Sequence, residues 1–275
     1  MKYKVIDIHT HSYPEVIAQK AAVSLGEFYN FNVECAGTYS DLENQAKESH
    51  STDTSVVGFL LLAVATNSHQ VQKANDSVAA FAATSRKNGF ETVGFAGIHQ
   101  DYTEIEDEVD RCAAIGLRGF KIHPDIQRLD LLDGFMFSLC EVLEDRHLPL
   151  FLHMGDDREE FRFSEPKKLA RLLDRFPRLE VVAAHFGGYR AWEEARAYVY
   201  GRPNVWYDIS SALWAMTAEH AKYLINACGA DRVMFGTDYP VMTLKNYIDL
   251  FMKIELDEKT REDIFYNNAK RFLGF

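Results

Sequence analysis

Short apolar segments rich in Val, Ile and Phe alternate along the chain with longer segments in which apolar residues recur at helical spacing. The apolar segments predict eight strands: KVIDIHTH (4–11), VVGFLLLAVA (56–65), TVGFAGIHQ (92–100), LRGFKIHP (117–124), PLFLHMG (149–155), EVVAAHFGG (180–188), NVWYDIS (204–210) and RVMFGTDYP (232–240). The longer segments predict helices, among them residues 69–87, 104–116, 135–147, 164–177 and 217–229. This alternation is typical of parallel βα units.

Eight such units in about 250 residues favour a closed α/β fold, the (β/α)₈ TIM barrel, because open doubly wound sheets usually contain fewer strands. The segment 12–55 is too long for an ordinary connection, so we predict an insertion after the first strand. No linker or low-complexity stretch interrupts the pattern. We therefore interpret residues 1–275 as a single domain.

Composition restricts the class of function. The 275 residues carry a formal net charge of −11, which argues against broad electrostatic attraction to nucleic acid or to an anionic membrane. A small-molecule substrate is then the expected partner. The sequence contains no signal-peptide pattern and no apolar stretch of the ~18 residues that a membrane span needs, and its four cysteines form no CxxC pair. We expect a cytoplasmic protein with reduced cysteines.

Polar side chains gather where the predicted strands end, which is where TIM barrels carry their active sites. They are His9, His11, His99, Lys121, His123, His153, His185 and Asp238. Taken singly, such a histidine is commonly a hydrogen-bonded structural residue, and Asp238 has the alternative role of capping the next helix. Taken together, strands one, five, six and eight direct imidazoles and a carboxylate towards one axis, and Zn²⁺ and similar divalent ions prefer these ligands. The sequence predicts a metal centre.

Five short motifs, each on its expected strand, identify a family resemblance. They are DIHTH (7–11), GFKIHP (119–124), FLHMG (151–155), AAHFGG (183–188) and FGTDYP (235–240). In this order they resemble the amidohydrolase superfamily, and specifically its amidohydrolase-related branch that includes aminocarboxymuconate-semialdehyde decarboxylase. The resemblance covers nearly the whole chain.

The resemblance implies that His9, His11, His153 and Asp238 hold one divalent ion, with Zn²⁺ the first expectation and Mn²⁺ the alternative. His185 then stands beside the ion and positions water or substrate, although in other branches this histidine is itself a ligand. A second ion, bridged by a carboxylated Lys121, is the less favoured arrangement. Barrels of this branch often dimerise, so a homodimer is a further expectation.

A metal-dependent hydrolase of a small amide, ester or lactone is the first functional hypothesis, with a metal-activated water as nucleophile. Asp238 takes the proton of that water and His185 orients the attacking oxygen or donates to the developing oxyanion. The second hypothesis keeps the site but makes the reaction a non-oxidative decarboxylation of an unsaturated or aromatic acid. A sugar-acid isomerase and a non-catalytic metabolite-binding barrel are the remaining alternatives.

Substrate contacts are expected from Lys121 and His123, whose alternative is a lysine paired with a carboxylate inside the barrel, such as Asp7, and a histidine bonded to backbone. Several other residues keep two interpretations each. Three arginines could bind a substrate carboxylate or form surface ion pairs: Arg128, Arg158 and Arg162. Four aromatic residues of the insertion could cover the pocket or pack locally: Phe28, Tyr29, Phe31 and Tyr39. Asp208 could line the pocket or orient a histidine.

Overall fold

Eight parallel strands, each paired with the next along the chain, form the sheet of the computed structural model, which describes residues 3–51 and 53–274. The strands are β1 Tyr3–Thr10, β2 Thr54–Leu62, β3 Glu91–Gly97, β4 Phe120–Ile122, β5 Leu150–Leu152, β6 Val181–Ala183, β7 Val205–Asp208 and β8 Val233–Met234. The backbone N–H of Ile8 donates to Phe235 O at 3.0 Å, and that of Asp238 donates to His9 O at 2.9 Å. These bonds join β1 to the chain after β8, so the predicted (β/α)₈ barrel is confirmed.

Helices alternate with the strands, and most of them cover the outside of the barrel. They are α1 Glu15–Tyr29, α2 Tyr39–Glu48, α3 Val71–Lys87, α4 Ile105–Ala114, α5 Pro124–Gln127, α6 Gly134–Asp145, α7 Pro166–Arg175, α8 Trp192–Tyr198, α9 Ala218–Cys228, α10 Leu244–Met252, α11 Glu258–Glu262 and α12 Asn268–Leu273, with a π-helical turn at Asp263–Asn267. Both α1 and α2 lie between β1 and β2, which confirms the insertion after the first strand. Within residues 3–51 and 53–274, no helix is both long enough and apolar enough to cross a membrane.

Two apolar layers form the core, one outside the sheet beneath the helices and one inside the barrel. The inner layer includes Ile6, Ile8, Phe151 and Trp206, and Phe272 of α12 packs on Trp206 with ring centroids 5.5 Å apart. Because apolar side chains fill this part of the barrel, polar groups can gather only beyond them, at the carboxyl ends of the strands.

An irregularity in β1 brings its two histidines to the inside of the barrel. Ile6 and Ile8 belong to the inner apolar layer, and side chains of a regular strand alternate between its faces, so His9 would point outwards. The register against β2 shifts between Asp7 and Thr10, where three steps along β1 match two along β2. One extra residue of this kind re-aims the following side chains. Ile8 and His9 therefore both face inwards.

Most strands are shorter than predicted at their carboxyl ends. β4, β5 and β6 each contain three residues, so His123, His153 and His185 lie just beyond the hydrogen-bonded ladder. His123 caps α5 by accepting the N–H of Ile126. The candidate site is thus formed by the first residues of the loops, which the strands hold in place.

Candidate metal centre

Five side chains from four strands converge at the mouth of the barrel. His9 Nε2 lies 3.2 Å from His11 Nε2 and 3.2 Å from Asp238 Oδ1, and His11 Nε2 lies 3.6 Å from the same oxygen. On the facing side of the barrel, His153 Nδ1 lies 3.0 Å from His185 Nε2. His9 and His185 are each 1% exposed, so the imidazoles of the cluster are almost completely removed from solvent, whereas 17% of the Asp238 side chain is exposed.

Each of the four imidazoles directs its other ring nitrogen at an oxygen acceptor. The pairs are His9 Nδ1 with Asp208 Oδ2 (2.8 Å), His11 Nδ1 with Leu62 O (3.1 Å), His185 Nδ1 with Ser210 O (2.8 Å) and His153 Nε2 with Gly155 O (3.1 Å). Carbonyl and carboxylate oxygens only accept, so these nitrogens must carry the protons. The nitrogens that face one another inside the cluster then carry lone pairs, and outer acceptors of this kind are typical of metal-binding histidines.

The arrangement fits a divalent cation. Two lone pairs at 3.0 to 3.2 Å repel each other unless positive charge lies between them. Two nitrogens that bind one Zn²⁺ at ~2.1 Å lie about 3 to 3.4 Å apart, which matches these separations. The ammonium of Lys121 lies 3.3 Å from His9 Nε2, so the lone pairs already attract the nearest positive charge.

The expected ligands are not all equally close. His9, His11 and Asp238 offer ligand atoms within 4.8 Å of one another. His153 contacts His185 through Nδ1 rather than any member of this group. Its other ring nitrogen, Nε2, lies near Asp125, and His153 forms a second group of potential ligands with Asp125 and His123. The assignment of His9, His11, His153 and Asp238 to a single ion, with His185 beside it, stays a prediction.

The ionisation states suit metal binding. Burial lowers the pKa of His9 and of His153 well below the ordinary value, and it lowers the pKa of His11 to about 4. Burial opposes ionisation of Asp238, but the imidazoles of the cluster and the hydroxyl of Ser211 outweigh it and bring that pKa to about 2. At neutral pH the cluster presents neutral imidazoles and a carboxylate, which are the forms that bind metal.

Lys121 and His123 lie beside the cluster, and their role as substrate contacts stays a prediction. Burial lowers the pKa of Lys121 to about 8, and its Nζ lies 4.5 Å from the centre of the Phe151 ring. Asp7 is not the carboxylate beside Lys121: it accepts from Thr237 Oγ1 at 2.6 Å, and the carboxylates of the described residues that act on Lys121 are Asp238 and Asp208. The His123 ring stacks on His153 with centroids 3.9 Å apart.

Two residues of the cluster, His185 and Asp238, have a strained backbone conformation, as has Phe186 next to His185. His185, Phe186 and Asp238 have positive φ angles of 59°, 55° and 63°, a conformation that costs about 1 to 3 kcal/mol for such residues. Hydrogen bonds hold the first two: His185 O accepts from Trp192 Nε1 at 3.1 Å and Phe186 O accepts from Tyr200 Oη at 2.8 Å. Strain that the surrounding structure maintains at a polar cluster is a mark of a functional site.

Tyr29 is a site residue whose importance the sequence did not reveal. Its hydroxyl lies 2.9 Å from His123 Nε2 and 3.2 Å from His153 Nε2, and Phe31 stacks on its ring. Tyr39, the other tyrosine considered as a cover, instead packs on the Phe81 ring. The signal was the aromatic run in the insertion, but the sequence could not show which ring reaches the strand ends.

The remaining candidates have other contacts. Arg158 donates twice to Asp156 through Nε and Nη2, at 2.9 and 2.7 Å, and Arg162 is exposed and paired with Glu165. His99 lies at 3.5 Å from Asp101, outside the groups of potential metal ligands among the described residues. Neither arginine is free to bind a ligand in this conformation.

Comparisons with known proteins identify the family of the chain. The family model described as amidohydrolase matches residues 6–275. A 2-amino-3-carboxymuconate-6-semialdehyde decarboxylase of Dictyostelium discoideum is 25% identical in an alignment of 240 residues that covers 74% of this chain and 66% of that protein. The chain thus matches slightly less than two thirds of that curated relative's length.

Solved structures share the fold. A 5-carboxyvanillate decarboxylase from Sphingomonas paucimobilis superposes with a TM-score of 0.75 at 16% identity, covering 100% of both chains. A dihydroxybenzoic acid decarboxylase from Polaromonas sp. JS666, solved with bound manganese and the inhibitor 2-nitroresorcinol, gives a TM-score of 0.68 at 18% identity and covers 100% of this chain and 97% of its own. At these identities the likeness concerns the fold alone.

Proposed function

The chain belongs to the amidohydrolase family, in the branch that includes aminocarboxymuconate-semialdehyde decarboxylase, and from this premise we propose that it is a metal-dependent, non-oxidative decarboxylase. The proposed substrate is a small unsaturated or aromatic carboxylic acid. The observation that carries metal dependence is the set of inward lone pairs on His9, His11, His153 and His185. The observation that favours decarboxylation is the similarity to a curated decarboxylase over 240 residues.

Hydrolysis of an amide, ester or lactone, our first hypothesis from the sequence, has less support than decarboxylation. The two reactions use the same cluster but differ in what is added to the substrate. Hydrolysis adds the elements of water, whereas decarboxylation replaces a carboxyl group by a proton. The question for this site is therefore which residue holds and moves that proton.

A divalent ion bound to the cluster, Zn²⁺ or Mn²⁺, would supply positive charge that holds a substrate oxygen and draws electrons from the carbon skeleton. Asp238 is the proposed proton carrier, because it is ionised at neutral pH and 17% of its side chain is exposed at the mouth of the barrel. It accepts a proton from solvent or substrate and delivers it to the carbon that loses the carboxyl group. The C–C bond then breaks and carbon dioxide leaves.

The neighbouring residues hold the substrate. Lys121 is a buried cation and attracts a substrate anion. His123, whose Nδ1 accepts from Ile126, directs its Nε2–H at the Tyr29 hydroxyl and acts on the substrate through that hydroxyl. His185 is fixed by its bonds to Ser210 and can orient an oxygen beside Asp238. These roles are proposals that follow from position and hydrogen-bonding capacity.

The test is product analysis in deuterium oxide. Protein loaded with Zn²⁺ or with Mn²⁺ is incubated with a panel of aromatic and unsaturated acids, and carbon dioxide release and deuterium at the vacated carbon are measured. We expect both signals from at least one acid, with loss of both in Asp238→Asn and retention in the exposed control Asp101→Asn. Incorporation of ¹⁸O from labelled water into a product acid, without carbon dioxide, would instead establish hydrolysis.

A further inference from the structure

One hydroxyl group of the insertion, that of Tyr29, lies at the carboxyl ends of the strands. Tyr29 is the last residue of α1, and its Oη lies within hydrogen-bond distance of His123 Nε2 and His153 Nε2. Its aromatic neighbours contribute packing only: Phe28 contacts Phe161 edge to face at 4.7 Å, and Phe31 stacks on the Tyr29 ring. A phenylalanine at position 29 would pack in the same way, so the hydroxyl itself needs an explanation.

The direction of these hydrogen bonds is determined by the two imidazoles. His123 Nδ1 accepts the backbone N–H of Ile126, so the proton of this neutral ring is on Nε2. His153 Nε2 also lies 3.1 Å from Gly155 O, which only accepts, so that nitrogen carries a proton as well. Tyr29 Oη therefore accepts from His123 and shares the His153 Nε2 proton with Gly155 O, so it can donate to neither ring.

The hydroxyl proton of Tyr29 is left without a protein acceptor. Among the described residues, the two imidazoles are the hydrogen-bond partners of Tyr29 Oη, and both donate to it. A hydroxyl that accepts two hydrogen bonds is polarised and becomes a better donor. An unused donor beside a buried polar cluster is costly unless a ligand or water accepts from it.

Contacts of Arg158 hold the end of α1, and with it the Tyr29 hydroxyl, in position. Arg158 Nη1 donates to Phe28 O at 2.6 Å, in the last turn of α1, and its guanidinium stacks on the rings of Phe28 and Phe161 at 4.7 and 4.1 Å. Asp156 holds the other edge of the guanidinium. Arg158 thus fixes the end of α1 rather than binding a ligand.

We propose that Tyr29 is the substrate-contacting residue of the insertion, which donates its hydroxyl proton to a carboxylate oxygen of the substrate. The charged side chains that act on Tyr29 itself are Asp125, Asp156, Asp238 and Arg158, so its surroundings are mainly acidic. Lys121, a buried cation that acts on both imidazole partners of Tyr29, is the group that would draw the carboxylate to this hydroxyl. The inference rests on the proposed function for its substrate class, small organic acids, but not on the reaction that follows binding. Tyr29 then selects acids, and His123 and His153 position it.

The test measures binding without turnover. Calorimetric titration of Zn²⁺-loaded protein with benzoate compares the wild type with Tyr29→Phe, which removes only the oxygen, and with Tyr39→Phe, a matched loss of hydroxyl in the same insertion. We expect Tyr29→Phe to bind benzoate about tenfold more weakly, the usual effect of losing a hydrogen bond to a charged group, with unchanged zinc content. Tyr39→Phe should bind benzoate like the wild type. On any acid that is turned over, Tyr29→Phe should raise KM about tenfold with a smaller change in kcat.

The outcomes separate this inference from the proposed function. Equal benzoate affinity of Tyr29→Phe and the wild type overturns the role of Tyr29, whether or not carbon dioxide is released from any acid. Failure of the wild type to bind benzoate overturns it as well. Weaker binding by Tyr29→Phe, in a protein that releases no carbon dioxide, supports the inference and refutes decarboxylation.

Discussion

Asp208→Asn should disable the metal centre without unfolding the protein. Asp208 is completely buried, and its Oδ2 accepts from His9 Nδ1 at 2.8 Å. Its Oδ1 accepts from the backbone N–H groups of His185 and Ser210, both at 2.9 Å, and from Ser210 Oγ at 2.6 Å. Asparagine keeps the shape of the side chain but replaces one of the two acceptors by an NH₂ donor.

The two orientations of the new amide differ in cost. An NH₂ group at the Oδ1 position would face two buried backbone N–H donors, at about 1 to 3 kcal/mol each. An NH₂ group at the Oδ2 position faces His9 Nδ1 alone, and a shift of the His9 proton to Nε2 satisfies it. The second orientation is therefore favoured, and it places a proton on the nitrogen that should bind metal. Loss of such an outer partner typically lowers metal affinity 10- to 100-fold, and we expect the upper end, about 2.7 kcal/mol.

Competition with a fluorescent zinc chelator measures this affinity directly. The control is Asp249→Asn, an exposed carboxylate paired with Lys245 on the outer helix α10, which should leave zinc affinity unchanged. Circular dichroism and a thermal midpoint verify that both variants fold. A zinc affinity of folded Asp208→Asn within threefold of the wild type would show that Asp208 does not set the protonation of His9, and the assignment of inward lone pairs would lose its main support.

Three further predictions address the same region. Gly236→Ala places a Cβ 2.9 Å from His9 Cβ, so zinc content and the thermal midpoint should both fall; an unchanged zinc content contradicts the close packing. The folded-state pKa of His11, about 4, lies below the unfolded value of 6.5, so this residue should cost the metal-free protein about 3 kcal/mol of stability as pH falls from 7 to 4. Urea unfolding at several pH values measures this loss. Stability that stays constant or increases towards low pH would refute the burial argument. Arg158→Ala should accelerate proteolytic cleavage near the end of α1 relative to the exposed control Arg162→Ala, and equal rates would remove its role as an anchor.

The barrel was predictable because a short apolar run in the sequence indicates each strand, and the polar residues that follow these runs mark the carboxyl ends of the strands. The lengths of the strands were not predictable to the same degree. Ala183 ends β6, although Ala184 and Phe186 continue the apolar and aromatic pattern. A ladder ends where neighbouring strands diverge, and that depends on the geometry of the barrel rather than on local composition.

The site was predictable as a set of residues but not as an arrangement of protons. The spacing of His9 and His11 correctly indicated that they share a face, yet the apolar Ile6 and Ile8 face inwards too, which requires the irregularity in β1. The acceptors that orient the rings include the carbonyl of Leu62, and a backbone carbonyl has no sequence signature. Tertiary structure alone supplies this information.

The orientation of the imidazoles also says where the free energy of metal binding comes from. The fold holds neutral rings with their lone pairs 3.0 to 3.2 Å apart, in a cluster from which solvent is almost excluded, and it does so through outer acceptors such as Asp208 and the Ser210 carbonyl. The resulting repulsion weakens the metal-free state. A cation that enters the cluster replaces repulsion by ligation at little reorganisation cost, so native protein gains stability in proportion to the logarithm of free metal concentration. The same acceptors that make the empty fold less stable are therefore the reason why the site should bind metal tightly.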